Sequence, residues 1–473
     1  VKKKTTLSLL VVLVLICSAL ILTGCPPQEE EEDPQPEEQP QEQVETVTYD
    51  PIDYSEGFEF PGDWGEVPVS EMTVFYPGQS SWQYLVSEEH PGAGAMEGGA
   101  SCSSCHQGQE ERLGESLVNH DALEDDPIEG KEPHKELLAQ AAYDDENFYL
   151  KLQWESERPG ISHQLWRYNG EDWERDGGPR PDVDSDGNIP SYEDRVTMLF
   201  TDQDIPAYDG ADIGWNEAGC FITCHDSMRA MPEAPSREEV VAHPYLGEEG
   251  LNRSDIRKYL LATRTDYEGE GAGWDNVKPE SEIEAMYQEG MFLDLWQFRG
   301  NRSAPIQYAS DDYVLEYRFG DDGEGPFTSQ NEIEWMYDPD QTDGLNAIPE
   351  DRFEEMLEMV PLKPDENGIP FDEDTEFQEG DLLPYRLLRD PSGSAADVRA
   401  YSTWENGIWT VVFVRSLDTG NPDDKALVEG EIYTVGFGLF DDHVSNRRHH
   451  VSFEKTLGIG VEEEVDINAI RIE

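Results

Sequence analysis

The sequence predicts a mainly β protein, a single β-sandwich carrying long, partly helical insertions. Three observations carry that reading. Several stretches alternate apolar and polar residues with a period of two, as half-buried strands do. Helical patterns are short and confined to the intervals, and no repeat of fixed period runs through the chain. Strands separated by such excursions fit a sandwich with insertions better than a regular βαβ array. Eleven tryptophans, twenty tyrosines and seventeen phenylalanines in 473 residues supply ample core material.

In chain order, Lys2, Lys3 and Lys4 precede an apolar run from Leu7 to Leu22 and then "LTGC", ending at Cys25. A basic start, a short apolar stretch and small residues before a cysteine predict a secretory leader over 1–24, with an uncleaved anchor as the alternative. The ending resembles the bacterial lipobox, which makes Cys25 the expected lipid-bearing residue. The expectation is an exported lipoprotein at the periplasmic side or cell surface. Pro26 leans towards the outer membrane in a Gram-negative source. Residues 25–55, rich in Pro, Glu and Gln, read as an extended, self-repelling tether, and 56–473 as the globular domain.

Within that domain "NFYLKLQW" places Phe148, Leu150, Leu152 and Trp154 on one face, and "DRVTMLF" does so with Val196, Met198 and Phe200. "DYVLEYRF" aligns Tyr313, Leu315, Tyr317 and Phe319 as a third strand. "YSTWENGIWTVVFVRSL" sets Asn406-Gly407 between two apolar runs, a hairpin signal; "EIYTVGFGLF" and "HHVSF" follow as strands. Ser236 and Glu239 are spaced as a capping box, and "DIRKYLLATR", "EIEAMYQEG" and "EDRFEEMLEMV" have helical spacing.

Net charge is −71, with 33 Lys and Arg against 104 Asp and Glu, and loss of a three-lysine leader takes it to −74. Self-repulsion of that size destabilises a compact chain in dilute buffer and is tolerable where salt cuts the screening length to about 3 Å. The expectation is a halophilic source, the alternative a very acidic protein from an ordinary one. Duplex nucleic acid is excluded as a natural partner.

Six cysteines are present. Beyond Cys17 in the leader and Cys25, the other four form "CSSCH" (Cys102, Cys105, His106) and "CFITCH" (Cys220, Cys224, His225). C-x-x-C-H is the c-type haem attachment signature: two thiols add to the haem vinyls, and the adjacent histidine becomes an axial ligand. Disulfides and structural zinc are the rivals, but neither calls for a histidine after the second cysteine. Ten histidines in the chain make two such placements a poor accident. The longer spacer of "CFITCH" still reaches both vinyls. Two covalent c-type haems are expected, with His106 and His225 as proximal ligands.

Each iron needs a sixth ligand or an open face. His90 is the first choice at the His106 centre. Met228, Met231, His449 and His450 are candidates at the other, although a methionine so near the proximal histidine can also just cover a haem edge. In a chain poor in cations, Arg447 and Arg448 suit haem propionates, with a surface salt-bridge patch the equal alternative; Arg299 carries the same two readings. "DVDSDGNIPSYE" offers Asp182, Asp184, Asp186, Asn188 and Glu193 at calcium-loop positions. Prolines 181 and 190 argue against flanking helices, so an isolated calcium loop and a bare solvated loop both stand.

Together, "FYLKLQW", the "EDR" strand start, "DLWQFR", "GIWTVVFVRSLDTGNPDD" and "HHVSF" resemble the haem-binding domain of the ethylbenzene dehydrogenase gamma-subunit family. "FYPGQSSWQYL", "HPGAGA", "CSSCH" and "CFITCHDSMRAMP" resemble its longer, exported multihaem c-type cytochrome relatives. The resemblance runs from about residue 65 to 460. It implies a sandwich like that of carbohydrate-binding modules, and electron transfer beside molybdenum oxidoreductases of the DMSO reductase type. The gamma subunit holds a b-type haem between methionine and lysine. Met198 and Lys455 occupy comparable strands, but the covalent motifs, lipobox and insertions speak against a b-type haem here. The expectation is therefore a membrane-anchored dihaem cytochrome shuttling single electrons between redox partner proteins, a molybdenum oxidoreductase or other cytochromes among them. The alternatives are a haem enzyme or sensor with one open iron position, and a haem-free binding module.

Overall fold

The alternating runs form strands because each has one face to bury, and the computed structural model shows what they bury it against. The structure describes residues 49–472, apart from 79, 120–130, 178–191, 224–226, 230, 232, 266–272, 354–360 and 442–447. Fourteen strands join in one mixed sheet among these residues. One arm runs from Ile52–Tyr54 through Arg399–Glu405, Ile408–Ser416 and Asn147–Glu155 to His134–Tyr143. Ser70–Phe75 and His450–Val451 lead to the other arm: Ile432–Phe440, Arg195–Thr201, Leu293–Arg299, Ser310–Val314 and Arg318–Gly320. A second link runs through Lys455–Ile459 and Ile467–Arg471, which pair in parallel.

Rings from the two arms meet. Phe148 lies 6.1 Å from Trp296, Trp296 6.1 Å from Phe413, and Phe298 5.5 Å from Trp409. Each is buried, and full burial of a large apolar side chain is worth about 1.5–3 kcal/mol. This ring layer is the main core.

The Asn406-Gly407 hairpin forms as expected, with both residues at positive φ (54° and 80°). So does the helix Arg237–Ala242, with both arms of its Ser236/Glu239 capping box made. Other expectations need correction. Residues 49–55, assigned to the tether, belong to the fold: Ile52–Tyr54 pairs with Arg399–Glu405, and Tyr49 packs edge-on against Trp404. "DYVLEYRF" is not one strand but a tight hairpin, Arg318 pairing back on Val314. "DIRKYLLATR" forms only the 3-10 turn Leu261–Thr263. Its apolar residues are buried all round, and Leu260 donates its N–H to the Leu315 carbonyl, so tertiary packing overrides helical spacing. "HHVSF" supplies only the two-residue strand His450–Val451. "EDRFEEMLEMV" gives the turn Glu350–Arg352, its remainder lying mostly outside the described residues.

Two further features position the site. The strand Arg195–Thr201 is buried on both faces, with Val196, Met198 and Phe200 in the main core and Leu199 in a second cluster under the insertions. Residues 165–176 and 327–388 build an unforeseen side lobe of three small sheets around Leu382, Tyr337 and Ile348. Among the described residues no helix is long and apolar enough to cross a membrane.

Candidate functional site

Ser101 starts the helix Cys102–His106 by accepting a hydrogen bond from the Ser104 N–H (3.2 Å). From far along the chain, Glu454 accepts the Ser103 N–H at 2.9 Å, which fixes this short helix to the sheet. Cys102 is buried in the second apolar cluster and Cys105 is exposed, so the two thiols face different surroundings. Burial, with Glu454 nearby, holds the Cys102 thiol protonated. No disulfide joins cysteines among the described residues.

His106 is half-buried. Burial first, then facing His90, holds it below its ordinary value, which favours the neutral ring that a metal needs. Its Nδ1 is buried without a hydrogen-bond partner among the described residues. His90 places Nδ1 2.7 Å from the Leu85 carbonyl. A carbonyl can only accept, so that nitrogen carries the proton and Nε2 keeps its lone pair for a metal. The two rings lie 6.2 Å apart between centres, inclined by 30°. Two iron–nitrogen bonds of about 2 Å each, plus half a ring at either end, come to about 6 Å. The residues present therefore fit an iron held between His90 and His106.

The second motif begins in the 3-10 turn Gly219–Thr223. Cys220 is buried beneath Gly436, where a Cβ would meet its sulfur at 2.6 Å. Cys224 and His225 lie outside the described residues. Cys220 and Phe221 form part of the wall of a cavity of about 460 Å³, also lined by Met228, Met231 and His449. His449 stacks on Phe440 (4.2 Å, 15°), and the Arg195 guanidinium lies 3.8 Å from the same ring.

The charge of that wall is opposite to the chain's. Among the described residues, eight arginines and one lysine line the cavity, against one acidic residue, Asp312. Arg195, Arg299 and Arg302 are each less than a tenth exposed, and Arg386 stands beside them. Burial and mutual repulsion lower the pKa of Arg195, Arg299 and Arg386, the last to about 10. Glu193 sits beneath as counter-ion, paired with Arg302 and accepting the N–H groups of Asn301 (2.9 Å) and Arg302 (2.8 Å). Such a wall fits a carboxylate-bearing occupant.

Sequence reasoning singled out Arg299 but missed its companions Arg195, Arg302 and Arg386, which come from three separate stretches. It also missed His163, which lines the cavity, is 3 % exposed and has no hydrogen-bond partner among the described residues on either ring nitrogen. Burial and four surrounding arginines hold it neutral. Of the other expected residues, Arg447 lies outside the described residues, and Arg448 is half-buried but does not line the cavity. His450 is also absent from the lining, its Nε2 bonded to the Glu132 carbonyl at 2.8 Å. Met198 is in the main core, and Lys455 stands 3.8 Å from Asp466. Asp182, Asp184, Asp186 and Asn188 lie outside the described residues, and Glu193, their expected companion, is committed to Arg302.

Aromatic contacts join the two sites. Phe453 stacks on His106 (5.9 Å, 13°) and on Phe221 (5.8 Å, 30°), the residue after Cys220 in the cavity wall. Cys102 and Cys220 belong to one buried cluster.

The family model described as ethylbenzene dehydrogenase matches residues 63–452. Cytochrome c-552 of Stutzerimonas stutzeri is 24% identical over 407 residues, covering 86% of this chain and 90% of the relative. Cytochrome c-551 of Rhodocyclus tenuis is 26% identical over 177 residues, 37% of this chain and 60% of that protein.

Proposed function

The chain belongs to the ethylbenzene dehydrogenase family, and from that premise we propose that it is an exported dihaem c-type cytochrome passing single electrons between redox partner proteins. The observation that carries the reading is the 6.2 Å pairing of His90 with His106, beside two cysteines in attachment spacing.

A bound haem supplies a one-electron iron couple. Cys102 and Cys105 would hold the first by thioether bonds, with His106 and His90 on its two faces. Leu85 orients His90 through Nδ1, and Phe453 covers the flat of His106. With His90 and His106 both committed to it, such a haem would leave no place for a substrate, which suits a carrier. Cys220, Cys224 and His225 would hold the second haem against the cavity wall, where His449, Met228 and Met231 offer the sixth ligand. The buried arginines would take its propionates. Phe453, stacked on both His106 and Phe221, would stand between the two centres.

The same reading places Cys25 on a membrane surface as the lipid-bearing residue. The partner is another cytochrome or a molybdenum oxidoreductase of the DMSO reductase type. Potentiometric titration of the purified protein, followed optically and by electron paramagnetic resonance, tests the function. A carrier takes up two electrons per chain, and both irons stay low-spin. A high-spin iron that binds carbon monoxide would overturn it in favour of a haem enzyme or sensor with an open coordination position.

A further inference from the structure

Asp311 and Asp312 are neighbours on one strand with opposite faces. Asp312 lines the arginine-rich cavity, whereas Asp311 enters a buried group of carboxylates none of which lines it. Oxygens of Asp294, Asp311 and Asp424 all lie within 4.8 Å of one another. That is the span of two ligands on opposite sides of an ion bonded at about 2.4 Å. Asp321 and Asp423 adjoin them: the Asp321 N–H donates to the Asp311 carbonyl (3.2 Å), and Asp423 accepts the Asp322 N–H (2.9 Å).

Positive charge is short here. Arg415 donates to Asp294 (2.7 Å) and Asp424 (3.0 Å), while the Lys425 ammonium is drawn off to Asp202 (2.7 Å) and the Gly290 carbonyl. Asp311 is 3 % exposed and Asp321 6 %, yet among the described residues neither carboxylate has a hydrogen-bond partner on either oxygen. Asp294 and Asp423 each have one further unpartnered buried oxygen, which brings the number turned to no donor among the described residues to six. Buried carboxylates are found paired or on a metal, because leaving them bare costs more than the fold can return.

We propose that Asp294, Asp311, Asp321, Asp423 and Asp424 form a structural site for a hard divalent cation, calcium. Calcium takes six to eight oxygen ligands at about 2.3–2.6 Å in irregular geometry, whereas magnesium demands a strict octahedron and keeps its waters. Carboxylates drawn from two strands, a turn and the loop after Ile408–Ser416 suit the first. The ion ties that loop to the strands Leu293–Arg299 and Ser310–Val314, which also supply Leu295, Gln297 and Asp312 to the cavity wall. Its five ligands are different residues from the Asp182–Glu193 candidates, and the proposal does not depend on the haem assignment.

The test is the calcium content of the purified holoprotein after dialysis, measured by plasma mass spectrometry for the wild type, Asp311→Asn/Asp321→Asn and Asp184→Asn/Asp186→Asn. The proposal expects one calcium that the first variant loses and the second keeps. Chelation of the wild type should lower its Tm by several degrees, with recovery on adding calcium chloride but not magnesium chloride. Should the first variant fail to fold, the wild-type chelation and recovery decide alone. Calcium kept by Asp311→Asn/Asp321→Asn, or a dialysed wild type without calcium whose Tm ignores both chelator and calcium, overturns it. The latter outcome would mean that the carboxylates are neutralised by protons, the direction in which burial and mutual repulsion push Asp311 and Asp321.

Discussion

Gly92 governs where His90 can point. A Cβ at that position would meet the ring's Cε1 at 3.0 Å, so the backbone two residues on is kept bare for the imidazole to fold over it. His90→Ala should leave both haems attached and convert one iron from low-spin to high-spin, read in the optical spectrum. Gly92→Ala should do the same in part. An unchanged spectrum in His90→Ala would remove it as a ligand. His163 and His450 make a second residue-scale prediction. Burial holds both well below the ordinary histidine value of about 6.5, and Arg302, Arg386, Arg195 and Arg299 reinforce this at His163. Below that pH the unfolded chain binds protons that the folded chain refuses, so stability is full above about 6.5 and falls with acid. Each contributes at most about 1.4 kcal/mol per pH unit. Urea unfolding at pH 7.5 and 5.5 should show a smaller loss in His163→Gln than in the wild type; equal losses would mean that the ring is charged in the fold. His90 and His106 were legible because a fixed motif names one and proximity in sequence suggests the other. His163 carried no such mark, and the arginines of the cavity wall meet only through the fold.

At the scale of elements, the Asn406-Gly407 turn was readable because its chemistry is local: both residues adopt positive φ, and two alternating strands flank them. Gly407→Ala should cost about 1–2 kcal/mol in urea unfolding, and a neutral result would mean that the hairpin is not held in this turn. Ser236→Ala removes one arm of a capping box and should cost about 1 kcal/mol. "DIRKYLLATR" misled because its spacing was helical while its environment was not. The buried Arg264 donates to the Trp274 and Glu316 carbonyls, which holds the segment as irregular chain. "DYVLEYRF" alternates as well for a hairpin as for one strand, and only the register of Arg318 on Val314 distinguishes them. Gly436 shows how a core strand serves the site. Gly436→Ala would drive a methyl into the Cys220 sulfur, and the expected outcome is protein with one haem attached instead of two.

Over the whole molecule, a net charge of −71 surrounds an interior in which charge is sorted. Arginines gather at the cavity and aspartates at the proposed calcium site. Surface repulsion should weaken as the screening length falls from about 10 Å at 0.1 M salt to about 3 Å at 1 M. The Tm should therefore rise between those concentrations of sodium chloride, and a fall would mean that attractive pairs outweigh the repulsion. The strand-rich scaffold was legible from alternation, which is a property of neighbours in sequence. The side lobe and the sorting of charge were not, because they arise where distant segments meet. The central claim is that one chain carries two covalent haems. Its most direct test is the intact mass of the mature protein, made in a host that matures c-type cytochromes. An increment of two haems is the predicted result; an increment of one, or none, would contradict it.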